Sequence, residues 1–187
     1  MSAESTEQPL LAARGISRRF PGVLALDAVD LTVRAGEVHA LVGENGAGKS
    51  TLINIMAGVL QPSAGTLEVG GRPVTLPNPA SAQQAGINVI FQEFSLIPAL
   101  SVAENIFLNR EPVRGLRIDW QTMDRRTREV TRLLNIDLDP QAPVSELPVA
   151  QQQLVEIARA LAFDARILVM DEPTAALSEV EIDRLLH

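Results

Sequence analysis

The run Gly43-Glu44-Asn45-Gly46-Ala47-Gly48-Lys49-Ser50-Thr51 has the residue types and spacing to hold the phosphates of a nucleotide. It follows the apolar stretch Val38-His39-Ala40-Leu41-Val42 and precedes Leu52-Ile53-Asn54-Ile55-Met56, so a strand, a loop and a helix are expected in that order. Glycines let the backbone curl until successive N–H groups point at phosphate oxygens, and the helix N-terminus adds partial positive charge. Lys49 is placed to reach the β- and γ-phosphates, and the Ser50 hydroxyl to ligate Mg²⁺. A glycine-rich turn that merely caps a helix is the plainer alternative, and the flanking strand and helix patterns weigh against it.

A second chemical segment, Ile167-Leu168-Val169-Met170-Asp171-Glu172, is an apolar strand ending in two carboxylates. Taken alone it reads as a capped strand end. Beside a phosphate loop it acquires a role, because a nucleotide–Mg²⁺ site needs an acid at a strand's carboxyl end. Asp171 suits the metal, usually through water. Glu172, one residue further on, suits polarising an attacking water. Gln92 closes the predicted strand 87–91, where it can sense γ-phosphate through Mg²⁺ or water or simply end a strand. Hydrolysis at such a site depends on positioning and charge neutralisation more than on covalent chemistry.

The elements that must position these groups follow from pattern. Residues 1–8 read as a polar tail. Strands are predicted over 10–20 and 28–33, broken at Pro21-Gly22, and over 66–74, turning at Gly70-Gly71. Helices are predicted over 49–60, 80–85, 149–163 and 179–187, and strands over 38–42, 87–91 and 167–170. Leu154, Ile157, Ala158 and Leu161 share one helix face. Between 93 and about 141 the periodicity is helical, and the basic run Arg125-Arg126-Thr127-Arg128 reads as a solvated helix face. The whole is an α/β core carrying a helical block. At 187 residues, one domain with a sizeable core is expected. No cysteine is present, which excludes disulfides and thiolate metal sites, and a net charge of −7 argues against nucleic acid as the main partner. No long apolar window or signal segment is found, which favours a soluble, cytoplasmic-side protein. Lys49 is the only lysine, so amine-directed chemistry is confined to it and the N-terminus.

The order of phosphate loop, Gln92, glutamine-rich helix start and Asp171-Glu172 resembles the ATPase domain of ABC transporters. The resemblance makes residues 43–51 the Walker A motif, Gln92 the Q-loop residue, and residues 167–172 the Walker B strand with catalytic Glu172. Residues 147–151 align with the signature Leu-Ser-Gly-Gly-Gln, and residues 173–178 with the D-loop. Phe20 falls where an aromatic stacks on adenine, or else is a core strand residue. The implied fold is a P-loop NTPase core with an antiparallel β subdomain and an inserted helical subdomain. Its bounds are a core of 9–92 and 164–187 with the helical part at about 93–163. The implied chemistry is ATP hydrolysis with Mg²⁺, catalysed by Glu172, Gln92 and Lys49. Phe20 and residues 43–51 bind nucleotide, and Ser50, Gln92 and Asp171 attend the metal. Within the family, residues 20–26, 43–47, 151–158 and 170–177 are most similar to the first nucleotide-binding half of monosaccharide importers, with nucleoside importers sharing related phrases. That implies a second nucleotide-binding half, transmembrane permease subunits, and a periplasmic or extracellular sugar-binding protein. The chain is then expected to sit peripherally at the cytoplasmic face of the membrane.

Departures from the family pattern set further expectations. Pro148 stands where the signature has serine, and Val149 and Ala150 replace its glycines. Ser178 replaces the D-loop aspartate. Proline suits a helix start, so the helix is expected to survive while the hydroxyl contact across a dimer is lost. His187 lies short of the strand that carries the switch histidine in relatives, and His39 is a tolerated strand residue. The absent strand lies inside the sheet in relatives, which implies a fragment, incomplete at its C-terminus, with a gap in the core or shifted strands. A catalytically impaired or regulatory nucleotide-binding module is the main alternative. An ABC protein acting on DNA or ribosomes would need coiled-coil or basic insertions, and a small-molecule kinase leaves Gln92 and the helix after residue 148 unexplained. The isolated 187-residue chain is predicted to hydrolyse ATP negligibly; robust Glu172-dependent phosphate release by it would refute that expectation.

Overall fold

The computed structural model describes residues 8–91, 94–163 and 165–171. Two compact units divide the chain between Val89 and Ile90.

The first unit is organised by a hairpin. Strand β1 (Leu11–Phe20) turns through Pro21-Gly22 into β2 (Val23–Val33), with Phe20 opposite Val23 and Leu11 opposite Val33. The predicted break before residue 28 is absent, because so short a turn lets the ladder begin at once. Strands β3 (Ala64–Val69) and β4 (Arg72–Val74) turn at Gly70-Gly71 as predicted. The sheet order is β2-β1-β3-β4, antiparallel throughout, and forms the expected antiparallel β portion. Leu11, Ala12, Ala13 and Ile16 of the central strand are buried. Helix α1 (Lys49–Met56) buries Leu52, Ile53, Ile55 and Met56. It ends four residues earlier than predicted, because the amides of Val59 and Leu60 both turn back to the Asn54 carbonyl, at 2.9 and 3.0 Å. Helix α2 (Pro79–Gln84) starts where Asn78 accepts the Ser81 amide at 3.0 Å and Pro79 supplies a preset φ.

Residues 38–42 correct the sequence reading. They were expected to be a buried strand feeding the phosphate loop, yet they belong to no strand and all are exposed, Val42 to 89%. A strand exists only through a ladder partner, and among the described residues none bonds to this stretch. The alternation survives locally: Glu37 and His39, two apart on one side, meet at 3.0 Å. That hydrogen bond, with another from the Arg34 amide, holds the Glu37 carboxyl below its ordinary value.

Strand β5 (Ile87–Ile90) ends in the second unit, where β8 (Ile167–Met170) lies beside it in a two-stranded sheet. Between them come helix α3 (Val102–Phe107), the short hairpin of β6 (Val113–Arg114) and β7 (Arg117–Ile118), and helices α4 (Trp120–Leu133) and α5 (Val149–Leu161). The hairpin was not legible, since strands of two residues leave no periodicity. Helices α3, α4 and α5 pack on one another around Val102, Ile106, Phe107, Met123, Val130, Leu154, Val155 and Ile157. Phe163 meets Phe107 edge-on, with ring centroids 5.7 Å apart. The arginines of the basic run are exposed, as expected, but Thr127 between them is buried and Arg126 lies over the Phe107 ring at 5.9 Å from its centroid. Arg125 pairs with Glu129 one turn on at 2.9 Å.

Polar side chains set the helix starts. Asp119 caps α4 through the Thr122 amide and hydroxyl, which lower its pKa. Ser101 and Glu104 form a reciprocal capping box on α3. The Ser101 hydroxyl and amide donate to Glu104 at 2.7 and 2.9 Å and hold its carboxyl below the ordinary 4.5. Because the folded value is the lower one, this stabilisation is complete above the unfolded value and is lost as pH falls through the folded one. Ser101→Ala should cost about 1 kcal/mol at neutral pH and flatten the acid-side loss of stability. Urea unfolding across pH checks this; an unchanged acid slope would contradict it.

Candidate phosphate-binding site

Helix α1 begins on Gly48, which adopts the left-handed conformation at φ +92, and no side chain caps it. A Cβ at Gly48 would lie 2.5 Å from the Ala25 carbonyl oxygen and 2.8 Å from a Leu26 methyl. Only glycine lets the loop pass this close to β2 and still turn into the helix. The first intrahelical bond runs from the Leu52 amide to the Gly48 carbonyl at 3.0 Å. The donors of the first turn, Lys49, Ser50 and Thr51, are therefore claimed by no side-chain cap. Residues 45 and 46 form a turn, with the Ala47 amide bonded to the Glu44 carbonyl at 3.1 Å and Gly46 at φ +87.

Lys49 closes the loop from the helix side. Its Nζ donates to the Gly43 carbonyl at 2.6 Å and the Glu44 carbonyl at 3.0 Å. An ammonium has three donors, so carbonyls of the loop fix it with one donor to spare. Uncapped amides, a helix dipole and this single charge converge on one short loop, a donor set suited to an anion of several oxygens. Ser50 is exposed at the second helix position, and Thr51 is half-buried beside it. Glu44 and Asn45 are exposed.

Phe20, in the same unit, is half-buried at the hairpin turn. The Arg18 guanidinium covers its ring at 4.9 Å from the centroid, and Arg18 Nη1 donates to the Gln61 carbonyl at 2.7 Å. One aromatic face is thus taken by a cation.

In the second unit, Asp171 directly follows β8, and its amide donates to the Ile90 carbonyl at 3.0 Å. This carries the pairing one residue past the strand and places a half-buried carboxylate at the strand tip. Gln92 and Glu172 lie outside the described residues. Among those described, no cluster of three His, Cys, Asp or Glu could hold a metal alone.

Helix α5 begins as the sequence predicts. Pro148 stands at its N-cap with no side-chain cap bond, and the Gln152 side chain donates to the Leu147 carbonyl at 2.9 Å. The helix start survives the proline, and the capping hydroxyl is absent.

A family profile described as ABC transporter matches residues 26–175. The chain belongs to the ABC transporter family. Among solved ABC transporter structures, it superposes on the ADP conformation of the ATP-binding cassette MJ1267 with a TM-score of 0.81 and 28% identity, covering 95% of this chain and 74% of that one. The dimeric, ADP- and Pi-bound cassette MJ0796 gives 0.75 and 26%, covering 94% and 79%. A protein of Burkholderia cenocepacia (strain HI2424), described as a putative ribose/galactose/methyl galactoside import ATP-binding protein, is 54% identical over 98% of this chain and 36% of its own length. A ribose import ATP-binding protein of Rubrobacter xylanophilus is 54% identical over 96% of this chain and 36% of its own. The chain thus spans 36% of the length of these relatives.

Two polar residues of this ABC transporter chain escaped the sequence reading. Asn105, fully buried, accepts the Ile97 amide at 2.7 Å and donates to the carbonyls of Ile97, Leu100 and Ser101 at 3.0, 3.1 and 3.0 Å. Glu156, inside α5, accepts from Ser95. Glu156 is flanked by apolar residues within α5, and Asn105 follows Glu104 in a short, otherwise apolar helix; those were the available signals.

The loop geometry makes a differential prediction. Gly48→Ala must pay both the left-handed penalty and the clash with Ala25, roughly 2 kcal/mol or more, whereas Gly46→Ala meets only the first, about 1 kcal/mol. Thermal unfolding of the two variants should rank them in that order; equal shifts would contradict the packing described.

Proposed function

We propose that the intact protein is the ATP-binding and ATP-hydrolysing subunit that energises an ABC importer of sugars. The observation that carries the reading is the loop itself: an uncapped helix start with Lys49 drawn across it, in a chain 54% identical to proteins described as sugar-import ATP-binding proteins. In this reading residues 9–187 form one nucleotide-binding domain, with core 9–92 and 164–187 and helical part about 93–163.

ATP is held by residues 43–51, with Phe20 toward the adenine. Lys49 exchanges its carbonyl partners for β- and γ-phosphate oxygens, a trade of neutral hydrogen bonds for charge-assisted ones. Mg²⁺ supplies charge neutralisation of the phosphate oxygens. Ser50, Gln92 and Asp171 are the residues that attend it. Glu172 takes a proton from the attacking water. The implied partners are a second nucleotide-binding half, transmembrane permease subunits and, through them, a periplasmic or extracellular sugar-binding protein. The site of action is the cytoplasmic face of the membrane. Among the described residues no helix is long and apolar enough to cross a membrane, which is consistent with a peripheral subunit.

One observation favours a second reading, an impaired or regulatory module. Pro148 leaves the start of α5 without the hydroxyl that would reach a nucleotide across a dimer. It bears on the site completed by residues 147–151, not on the site around Lys49, so unequal sites are the form this reading takes here.

In the intact protein, Lys49→Ala should weaken Mg²⁺-ATP binding by about tenfold or more. Glu172→Gln should keep binding and stop turnover at this site. Titration calorimetry with phosphate-release assays separates the two. Full hydrolysis by both variants sinks the proposal, and hydrolysis surviving only Glu172→Gln points to the regulatory reading.

A further inference from the structure

Glu156 lies within the most buried stretch of α5 and is 8% exposed. None of the ion pairs among the described residues engages it. Its carboxylate is instead satisfied by one residue of a distant segment. Oε1 accepts the Ser95 amide at 2.6 Å and the Ser95 hydroxyl at 2.9 Å, and Oε2 receives the same hydroxyl at 3.3 Å. One helical turn on, Arg159 Nη1 donates to the Ser95 carbonyl at 3.5 Å. Every polar group of Ser95 is therefore held by α5. Two residues further, Asn105 of α3 binds both the amide and the carbonyl of Ile97.

Burying a carboxylate is costly, and a well-packed apolar residue at the same place is often no less stable. A charge retained there is better explained by registration than by stability. Charge-assisted bonds to a backbone amide fix a segment in one position and direction, which apolar packing does not. Ser95 lies three residues after Gln92, and Glu156 lies five after Gln151.

We propose that Ser95, Glu156 and Arg159 form a positioning clamp that makes the segment leaving Gln92 and helix α5 shift together. Glu156 touches no nucleotide in this scheme. It acts through the Ser95 backbone, so that the γ-phosphate state sensed at Gln92 reaches residues 147–151 at the head of α5. The clamp rests on the ATPase reading above and adds to it a route with named atoms.

The test uses the intact protein with Mg²⁺-ATP for turnover and a non-hydrolysable ATP analogue for amide hydrogen exchange. Glu156→Ala should lower kcat about tenfold while KM for ATP changes less than about twofold, as expected for losing hydrogen bonds to a charged group. Ser95→Ala, which keeps the backbone bond, should lower kcat by about threefold. The double variant should be no slower than Glu156→Ala alone, because both changes break one linkage. The analogue should alter exchange at residues 149–153 in the wild type but not in Glu156→Ala. Multiplying losses in the double variant, or an intact exchange response in folded Glu156→Ala, overturns the clamp and leaves the ATPase reading standing. Should Glu156→Ala not fold, Glu156→Gln and Ser95→Ala carry the same test, and wild-type kcat in both overturns the clamp. A wild type that binds no Mg²⁺-ATP overturns the ATPase reading and the clamp with it.

Discussion

The close pass of Gly48 beneath the Ala25 carbonyl is the constraint on which the phosphate loop depends. It anchors the start of α1 against β2 at a point where no side chain can intervene. The helix must therefore begin without the serine, threonine or aspartate that ordinarily satisfies its first amides. What is a defect by the rules of helix capping leaves amide donors with no side-chain partner, an arrangement suited to an anion. Lys49 draws the other side of the loop inward through two carbonyls and supplies the only formal positive charge within residues 43–51. Geometry and charge at this loop thus come from one glycine and one lysine.

The second unit solves a different problem. Its three packed helices bury an ordinary apolar core, but the segment from Ser95 to Ser101 has little regular structure and must be held by side chains. Asn105, Glu104 and Glu156 do this by bonding backbone groups that no ladder satisfies. Polar residues of α3 and α5 thereby give an irregular segment a defined path, which apolar contacts alone would leave loose.

Much of this was readable beforehand, and the failures have physical causes. The turn of residues 43–48 into helix α1 was legible because its glycines and lysine act over a short stretch of chain, where sequence spacing is close to spatial spacing. The turns at Pro21-Gly22 and Gly70-Gly71, the strand 167–170 and the start of α5 at Pro148 were legible for the same local reason. Residues 38–42 misled because an apolar run records a tendency to pair, whereas a strand is a property of two chains together. Glu156 was passed over because its partner lies sixty-one residues away, and Asn105 because it serves backbone groups of an irregular segment four to eight residues back. The capping box at Ser101 and Glu104 was within reach, its S-x-x-E spacing being a purely local signal.

Trp120 opens helix α4 directly after the β6–β7 hairpin and is about half exposed, at 49%. It is the sole tryptophan of the chain. Indole emission consequently belongs to the second unit alone, while the unit bearing Lys49 is optically silent at those wavelengths. Fluorescence thus follows the unfolding of the helical unit, while total helicity follows both units.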